Sequence, residues 1–119
     1  KLKMSEAPKK YGQVFEAVKS DDIQTAVLQN NKVVLDFTAK WCGPCKKLEP
    51  MLNEIAHQND DILFLKIDID NENCSELIEM CGVKNLPTLQ FYYEKELLGD
   101  IVGLQMDTIT NYMNDLINK

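Results

Sequence analysis

The chain has 119 residues, of which 45% are hydrophobic, and this supports one domain with its own core rather than two. Its 13 basic and 19 acidic side chains give a net charge of −6, which argues against nucleic acid or an anionic membrane as the main partner. No apolar stretch approaches the roughly 20 residues needed to span a bilayer.

The hydrophobic periodicity predicts strands and helices along most of the chain. Residues 1–11 are polar and are expected to form a flexible lead-in to one domain over residues 12–119. The predicted elements are, in order, a strand at 13–19, a helix at 21–30, a strand at 33–38, a helix at 44–58, a strand at 62–69, a helix at 72–80, strands at 88–93 and 97–103, and a helix at 106–117. This alternation predicts an α/β domain with parallel strand pairs and an antiparallel hairpin at one edge.

Several residues mark where these elements begin, bend and end. Ser20 is expected to cap the first helix, and Pro50 to kink the second. Gly82 is expected to stop the third helix. The predicted hairpin connection, Glu94-Lys95-Glu96, lacks a glycine, so its turn geometry stays open.

Two cysteines, Cys42 and Cys45, stand two residues apart in the run Trp-Cys-Gly-Pro-Cys. An apolar strand precedes them and a helix follows, which places a dithiol at a strand-to-helix junction. Such a dithiol can exchange two electrons with a disulfide of another protein, so this site indicates what the protein does.

The chain has four cysteines, and this number also fits other kinds of site. A secreted disulfide scaffold is disfavoured because a domain of this size does not need such cross-links. Zinc is disfavoured because Cys74 and Cys81 are separated by six residues, which is too wide for the second half of a zinc knuckle. The N-terminus also has no apolar run like the core of a secretory signal. We therefore expect a working dithiol in the reducing cytoplasm.

The residues around the dithiol resemble those of the thioredoxin family. The resemblance rests on the segment from Val33 through Lys46, on the Leu-Pro-Thr run ending at Thr88, and on Val102-Gly103. It extends from about Tyr11 to the last residue. It implies the thioredoxin fold, a central mixed sheet of about five strands flanked by about four helices.

The resemblance also implies roles for the motif residues. Cys42, just before the helix, is the expected nucleophile, because free N–H groups and the helix dipole favour a thiolate there. Cys45, expected to be more buried, would then attack the Cys42 sulfur and release the reduced client. Gly43 would let a client backbone come close, while Pro44 suits the first helical turn. A Gly-Pro spacer resembles that of the reducing members of the superfamily.

Asp36, Lys66 and Pro87 complete the expected catalytic set. Burial within an apolar strand should raise the pKa of Asp36, so that it can take a proton from Cys45. By resemblance, the Lys66 ammonium approaches Asp36 and the Leu86–Pro87 peptide bond is cis. The alternatives are a solvated acid at a strand end, an exposed lysine whose stem covers the sheet, and an ordinary trans proline.

The expected docking surface is a flat apolar patch around Cys42. It would consist of Trp41, Gly43, Pro44, Leu86, Pro87, Val102 and Gly103. A core position for Trp41 is the alternative. Cys74 and Cys81 would be roughly 10 Å apart on one helix, which exceeds disulfide reach. Extra cysteines in this region resemble those of cytosolic animal thioredoxins, where oxidation can be regulatory; the alternative is that they are simply small helix side chains.

Together these features predict a disulfide reductase that an NADPH-dependent thioredoxin reductase re-reduces. No bound cofactor or metal is expected, because the dithiol carries the electrons. By resemblance the clients are peroxiredoxins, ribonucleotide reductase and methionine sulfoxide reductases, and the protein is a cytoplasmic monomer that binds neither nucleic acid nor membrane. A docking module with incidental turnover and an oxidising or isomerising relative are the alternatives.

Overall fold

The computed structural model describes residues 12–119, so the predicted lead-in lies outside the described residues. The strands are β1 (Val14–Glu16), β2 (Lys32–Thr38), β3 (Leu63–Asp68), β4 (Thr88–Tyr93) and β5 (Glu96–Val102). The helices are α1 (Ser20–Gln29), α2 (Gly43–Gln58), α3 (Ser75–Met80) and α4 (Met106–Ile117), with one 3₁₀ turn at Glu72–Cys74 before α3. The predicted order of elements is confirmed. Within this part of the chain no helix is both long and apolar enough to cross a membrane.

The five strands form one mixed sheet in the order β1-β3-β2-β4-β5. β3 pairs in parallel with both β1 and β2, whereas β4 is antiparallel to β2 and to β5. The predicted parallel pairs and the antiparallel edge hairpin are therefore confirmed. β2 lies at the centre, and the loop that follows it leads directly into α2.

The helices cover both faces of the sheet, and the alternation of side chains along β2 shows how. Val33, Leu35 and Phe37 pack in the cluster that includes α1 and Cys74 of the 3₁₀ turn, with α3 side chains against it. Val34 packs in the opposite cluster, which includes α2 and α4. Because side chains alternate along a strand, Asp36 lies on the α2 side of the sheet with Val34.

The start of α1 differs from the prediction. Ser20 is the first helical residue and not the cap. The Asp22 carboxylate instead accepts hydrogen bonds from the backbone N–H groups of Val18 and Lys19, at 2.9 and 3.1 Å. An acid in the first turn can reach back to these N–H groups and also complements the helix dipole. The Ser20 hydroxyl is engaged elsewhere: it accepts a bond from the Leu77 N–H and so links α1 to α3.

The turn between β4 and β5 is a two-residue connection made without glycine. Glu94 and Lys95 both have positive φ values, 48° and 74°. Two successive residues of this kind are typical of a type I′ turn, whose twist matches that of the flanking strands. The predicted stop at Gly82 is also found, since α3 ends at Met80 and Gly82 has a φ of 71°. Pro50 lies within α2, which continues through it.

Candidate active site

Cys42 and Cys45 form a disulfide at the start of α2, with their Cα atoms 5.3 Å apart. Cys42 is the N-cap of the helix, and its Sγ accepts a hydrogen bond from the Cys45 N–H at 3.2 Å. Pro44 stands in the first turn, where its missing N–H leaves no bond unmade. A Cys42 thiolate formed on reduction would therefore face a backbone donor and the positive end of the helix dipole.

The prediction that Cys45 is the more buried cysteine is wrong for the disulfide form. Both residues are 5% exposed. What distinguishes them is the space that each one lines. Cys42 lines an open groove with a volume of about 450 Å³, and Cys45 lines a separate cleft of about 290 Å³. One end of the disulfide therefore borders the groove, and the other end borders the cleft.

The groove beside Cys42 contains part of the predicted docking patch. Its lining residues are Trp41, Cys42, Gly43, Pro44, Ile69, Lys84, Asn85 and Leu86. Trp41 is 68% exposed, so it is not a core residue. Pro87 is buried, and exposed Val102 is absent from the lining, as is Gly103. One lysine and one asparagine, Lys84 and Asn85, also line this groove, so its wall is not wholly apolar.

The segment before β4 forms one side of this groove. The Leu86–Pro87 peptide bond is cis, as expected, and Leu86 packs against the cluster that contains Cys42 and Cys45. Gly103 donates a backbone hydrogen bond to the Pro87 carbonyl at 2.8 Å, which ties the end of β5 to this segment. Among residues 12–119 no backbone hydrogen bond is formed by Leu86, so its N–H and C=O are available to an extended client strand.

The exposed indole of Trp41 is held in place by a carboxylate. Its Nε1–H donates a hydrogen bond of 2.8 Å to Asp70 Oδ2. Asp70 follows β3, and its own N–H is bonded to the Asp68 carboxylate at 2.9 Å. The ring is therefore oriented at the mouth of the groove without being packed in the core.

Asp36 is a buried acid on the face of the sheet that α2 covers. It is 7% exposed, and burial raises its pKa from 3.8 to about 7. The Lys66 ammonium lowers the pKa of Asp36 and the Glu49 carboxylate raises it, both by less than burial does. Asp36 and Lys66 are register partners on β2 and β3, so they lie side by side on the same face.

Lys66 forms its ion pair with a carboxylate of α2. Its Nζ lies 3.6 Å from Glu49 Oε2, and this is the ion pair that Lys66 makes among the described residues. Lys66 therefore acts on Asp36 electrostatically, by lowering the pKa of Asp36, without an ion pair between them. Both Lys66 and Glu49 line the cleft that also contains Cys45.

Cys74 and Cys81 are free thiols at the two ends of α3. Burial raises the pKa of both thiols, and nearby carboxylates raise it further. A raised pKa leaves little thiolate near neutral pH, so these thiols are poor nucleophiles in this conformation. The helix between them keeps them apart, and a regulatory role stays a prediction.

Sequence reasoning missed two residues of this site, Glu49 and Asp70. Glu49 follows Cys45 by four positions, a spacing that places both on one face of a helix. Asp70 lies just beyond the carboxyl end of β3, which is parallel to β2 and so ends at the same edge of the sheet. The spacing of Glu49 from Cys45 and the position of Asp70 after β3 are both visible in the sequence. They point to the site only once it is known which strands are neighbours.

Comparison with known proteins identifies relatives of the chain. The sequence model of the thioredoxin family matches residues 14–115. Human thioredoxin is 33% identical over 85 residues, which are 71% of this chain and 79% of the human protein. Rat thioredoxin domain-containing protein 2 is 36% identical over 84 residues, which are 71% of this chain. The matched region spans only 15–16% of the length of that protein in rat and mouse.

Solved structures share the fold. Thioredoxin f from spinach chloroplast, in its short form, superposes with a TM-score of 0.81 at 28% identity, over 92% of this chain and 96% of the spinach chain. A chain from a structural study of thiol resolution in yeast mitochondrial 1-Cys peroxiredoxin, through the glutathione and thioredoxin systems, gives a TM-score of 0.78 at 28% identity. That match covers 90% of this chain and 99% of the other. The five-strand mixed sheet with four helices is thus the architecture of these structures.

Proposed function

Because the chain belongs to the thioredoxin family, we propose that it is a dithiol–disulfide oxidoreductase that reduces disulfide bonds in client proteins. One observation carries this proposal: a Cys42–Cys45 disulfide at a helix N-terminus, beside a groove whose wall includes an exposed tryptophan. A redox pair in that position can receive a client strand and exchange electrons with it.

The reaction begins with the reduced protein. The Cys42 thiolate attacks one sulfur of the client disulfide, and a Cys42–client mixed disulfide forms while the other client sulfur leaves as a thiolate and takes a proton. Cys45 then gives its thiol proton to the Asp36 carboxylate and attacks the Cys42 sulfur. The Cys42–Cys45 bond forms, and the second client sulfur leaves. That sulfur leaves as a thiolate and takes up the Cys45 proton from Asp36, whereas the first client thiolate takes its proton from solvent. The client thus gains two electrons from this protein, one proton from Cys45 and one from water.

Asp36 suits the role of base in the second step. A general base is most effective when its pKa is near the working pH, and the pKa of Asp36 is about 7. Asp36 lies on the face of the sheet that is covered by α2, the helix that carries Cys45.

We propose the remaining features on the family resemblance. An NADPH-dependent thioredoxin reductase would restore the dithiol, so that no bound cofactor is needed, and the protein would act as a cytoplasmic monomer. A peroxiredoxin is the first client to test, since one solved neighbour comes from a study of peroxiredoxin thiol resolution. Ribonucleotide reductase and methionine sulfoxide reductase are the next two.

The test measures NADPH consumption with insulin as the client disulfide and a thioredoxin reductase as the electron source. We expect turnover by the wild type and none by Cys42→Ser. Cys45→Ser should trap the client as a mixed disulfide, visible on a non-reducing gel, because the second step has lost its thiol. If dithiothreitol in place of the reductase also gives no insulin reduction, the reductase proposal fails. Client binding without turnover would then favour a docking module.

A further inference from the structure

Glu49 is linked to Asp36 through Lys66. It lies on α2 one helical turn beyond Cys45, and its Oε2 is 3.6 Å from Lys66 Nζ. Lys66 is in turn the register partner of Asp36. The Lys66 ammonium therefore has two carboxyl groups in its neighbourhood, a buried one on β2 and an exposed one on α2.

Desolvation explains why the ion pair forms with Glu49. An ammonium is strongly hydrated, and moving it onto a carboxyl that is only 7% exposed would remove much of that hydration. The Lys66 and Glu49 side chains are 31% and 51% exposed, so they can pair while both keep contact with water. The pair is worth little as a stabilising contact, but it decides where the ammonium lies.

We infer that Glu49 is a positioning residue for Asp36: it holds the Lys66 ammonium in the cleft, so that the Asp36 carboxylate forms no ion pair and remains a base strong enough to take a proton. This inference rests on the proposed function, in which Asp36 takes the proton of Cys45. If Lys66 moved onto Asp36, the carboxylate would be stabilised and would become a weaker base.

The other charged groups of the cleft do not replace this pair. They come from β1, from the start of α2 and the loop before it, and from the end of β3, and they are Glu16, Lys40, Lys46 and Asp68. The groups whose fields act on the Asp36 carboxyl are Lys66 and Glu49, with opposite signs. A change at Glu49 thus acts on Asp36 twice, by removing its own negative charge and by releasing Lys66.

The test follows the Asp36 carboxyl carbon by ¹³C NMR during a pH titration of the oxidised protein. Glu49→Gln should move the Asp36 midpoint downward by roughly half a pH unit or more, the scale of a charge change on a neighbouring element. Glu54→Gln is the matched control. It removes the same charge from an exposed site on the same helix, where the Glu54 carboxylate accepts a hydrogen bond from Gln58, and should leave the midpoint in place. An unmoved midpoint in Glu49→Gln overturns the inference.

A second variant tests whether Glu49 acts through Lys66. Lys66→Gln should raise the Asp36 midpoint, because it removes the cation whose field lowers the pKa of Asp36. Glu49→Gln in that background should then have less than half of its effect in the wild-type background. If its effect is undiminished, Glu49 acts by its own charge alone and is not a positioning residue.

The titration needs no client and no reductase, so its failure is separable from failure of the proposed function. In the reduced protein the same variant gives a kinetic readout. The resolution rate of a Cys42–client mixed disulfide should depend on pH through Asp36, and Glu49→Gln should move that pH profile downward together with the NMR midpoint. If Glu49→Gln moves the NMR midpoint of Asp36 but not the pH profile of the resolution rate, the inference is also overturned.

Discussion

The indole N–H of Trp41 donates a 2.8 Å hydrogen bond to the Asp70 carboxylate, although the indole is 68% exposed. An exposed aromatic ring without such a bond would sample several rotamers, and a client would have to order it on binding. The hydrogen bond to Asp70 therefore fixes the orientation of the Trp41 ring in the groove beside Cys42 before a client binds.

Asp70→Ala should weaken client docking without slowing the chemistry. We expect KM for a protein disulfide to rise roughly two- to fivefold with kcat unchanged, since the lost bond is solvent-exposed and worth about 1 kcal/mol or less. Trp41 is the only tryptophan, so a drop in its steady-state fluorescence anisotropy reports the freed ring directly. Asp60→Ala, an exposed acid in the turn after α2, is the control. Equal anisotropy in both variants would contradict this explanation.

Asp36→Asn should stabilise the oxidised protein at neutral and alkaline pH. The pKa of Asp36 is raised on folding, so the folded state binds a proton that the unfolded chain has released. Stability is therefore lost as the pH rises from about 4 to about 7, and the loss is constant above this range. The asparagine variant lacks this loss, which amounts to about 4 kcal/mol at most for a difference of roughly three pKa units.

Urea unfolding at several pH values measures this difference. The advantage of Asp36→Asn over the wild type should grow between pH 4 and pH 7, then level off. A constant difference at all pH values would show that the variant acts through packing and not through ionisation of this carboxyl.

Lys95→Gly should stabilise the hairpin between β4 and β5. Lys95 has a φ of 74°, a conformation that costs a residue with a Cβ roughly 1 kcal/mol and costs glycine almost nothing. We expect a gain of roughly 0.5 kcal/mol in the free energy of unfolding, since the greater freedom of glycine in the unfolded chain offsets part of the benefit. Lys95→Ala keeps the Cβ and should give no gain. Equal stabilisation by both variants would assign the effect to loss of the lysine side chain.

Gly99→Ala should destabilise the protein because Gly99 lies against the ring of Tyr112. An added Cβ would stand 2.6 to 2.9 Å from three ring carbons, closer than van der Waals contact allows. The ring is also stacked on Phe91, with centroids 5.7 Å apart, so its movement disturbs the core. We expect a loss of roughly 1 to 3 kcal/mol, measured by thermal or urea unfolding. This loss of stability should largely disappear in a Tyr112→Ala background. If it persists there, the destabilisation comes from a change in backbone conformation at Gly99 and not from the clash with the ring.

Much of the fold follows from local pattern. The run around Val33–Thr38 is apolar enough to be a buried strand, and the periodicity of residues 44–58 predicts a helix whose start carries Cys42. Ser20 has the residue type of an N-cap, but it is the first helical residue of α1, and its hydroxyl accepts a hydrogen bond from the Leu77 N–H. That contact depends on how α3 packs against α1, which no local pattern gives. The turn at Glu94 and Lys95 lacks the usual sequence signal, since strand pairing and not residue preference sets its geometry.

The features that predict a redox dithiol can be read along the chain: two cysteines in a Trp-Cys-Gly-Pro-Cys run, at a strand-to-helix junction, with an acid inside the strand. These features are local, because spacing and hydrophobicity along a few turns of chain define them. Which charges surround that acid, and which side chains border Cys42, depends instead on the packing of distant segments. Glu49 meets Lys66, and Asp70 meets Trp41, across gaps of 17 and 29 residues. Such pairs depend on strand order and on how α2 packs against the sheet, and no local pattern encodes either.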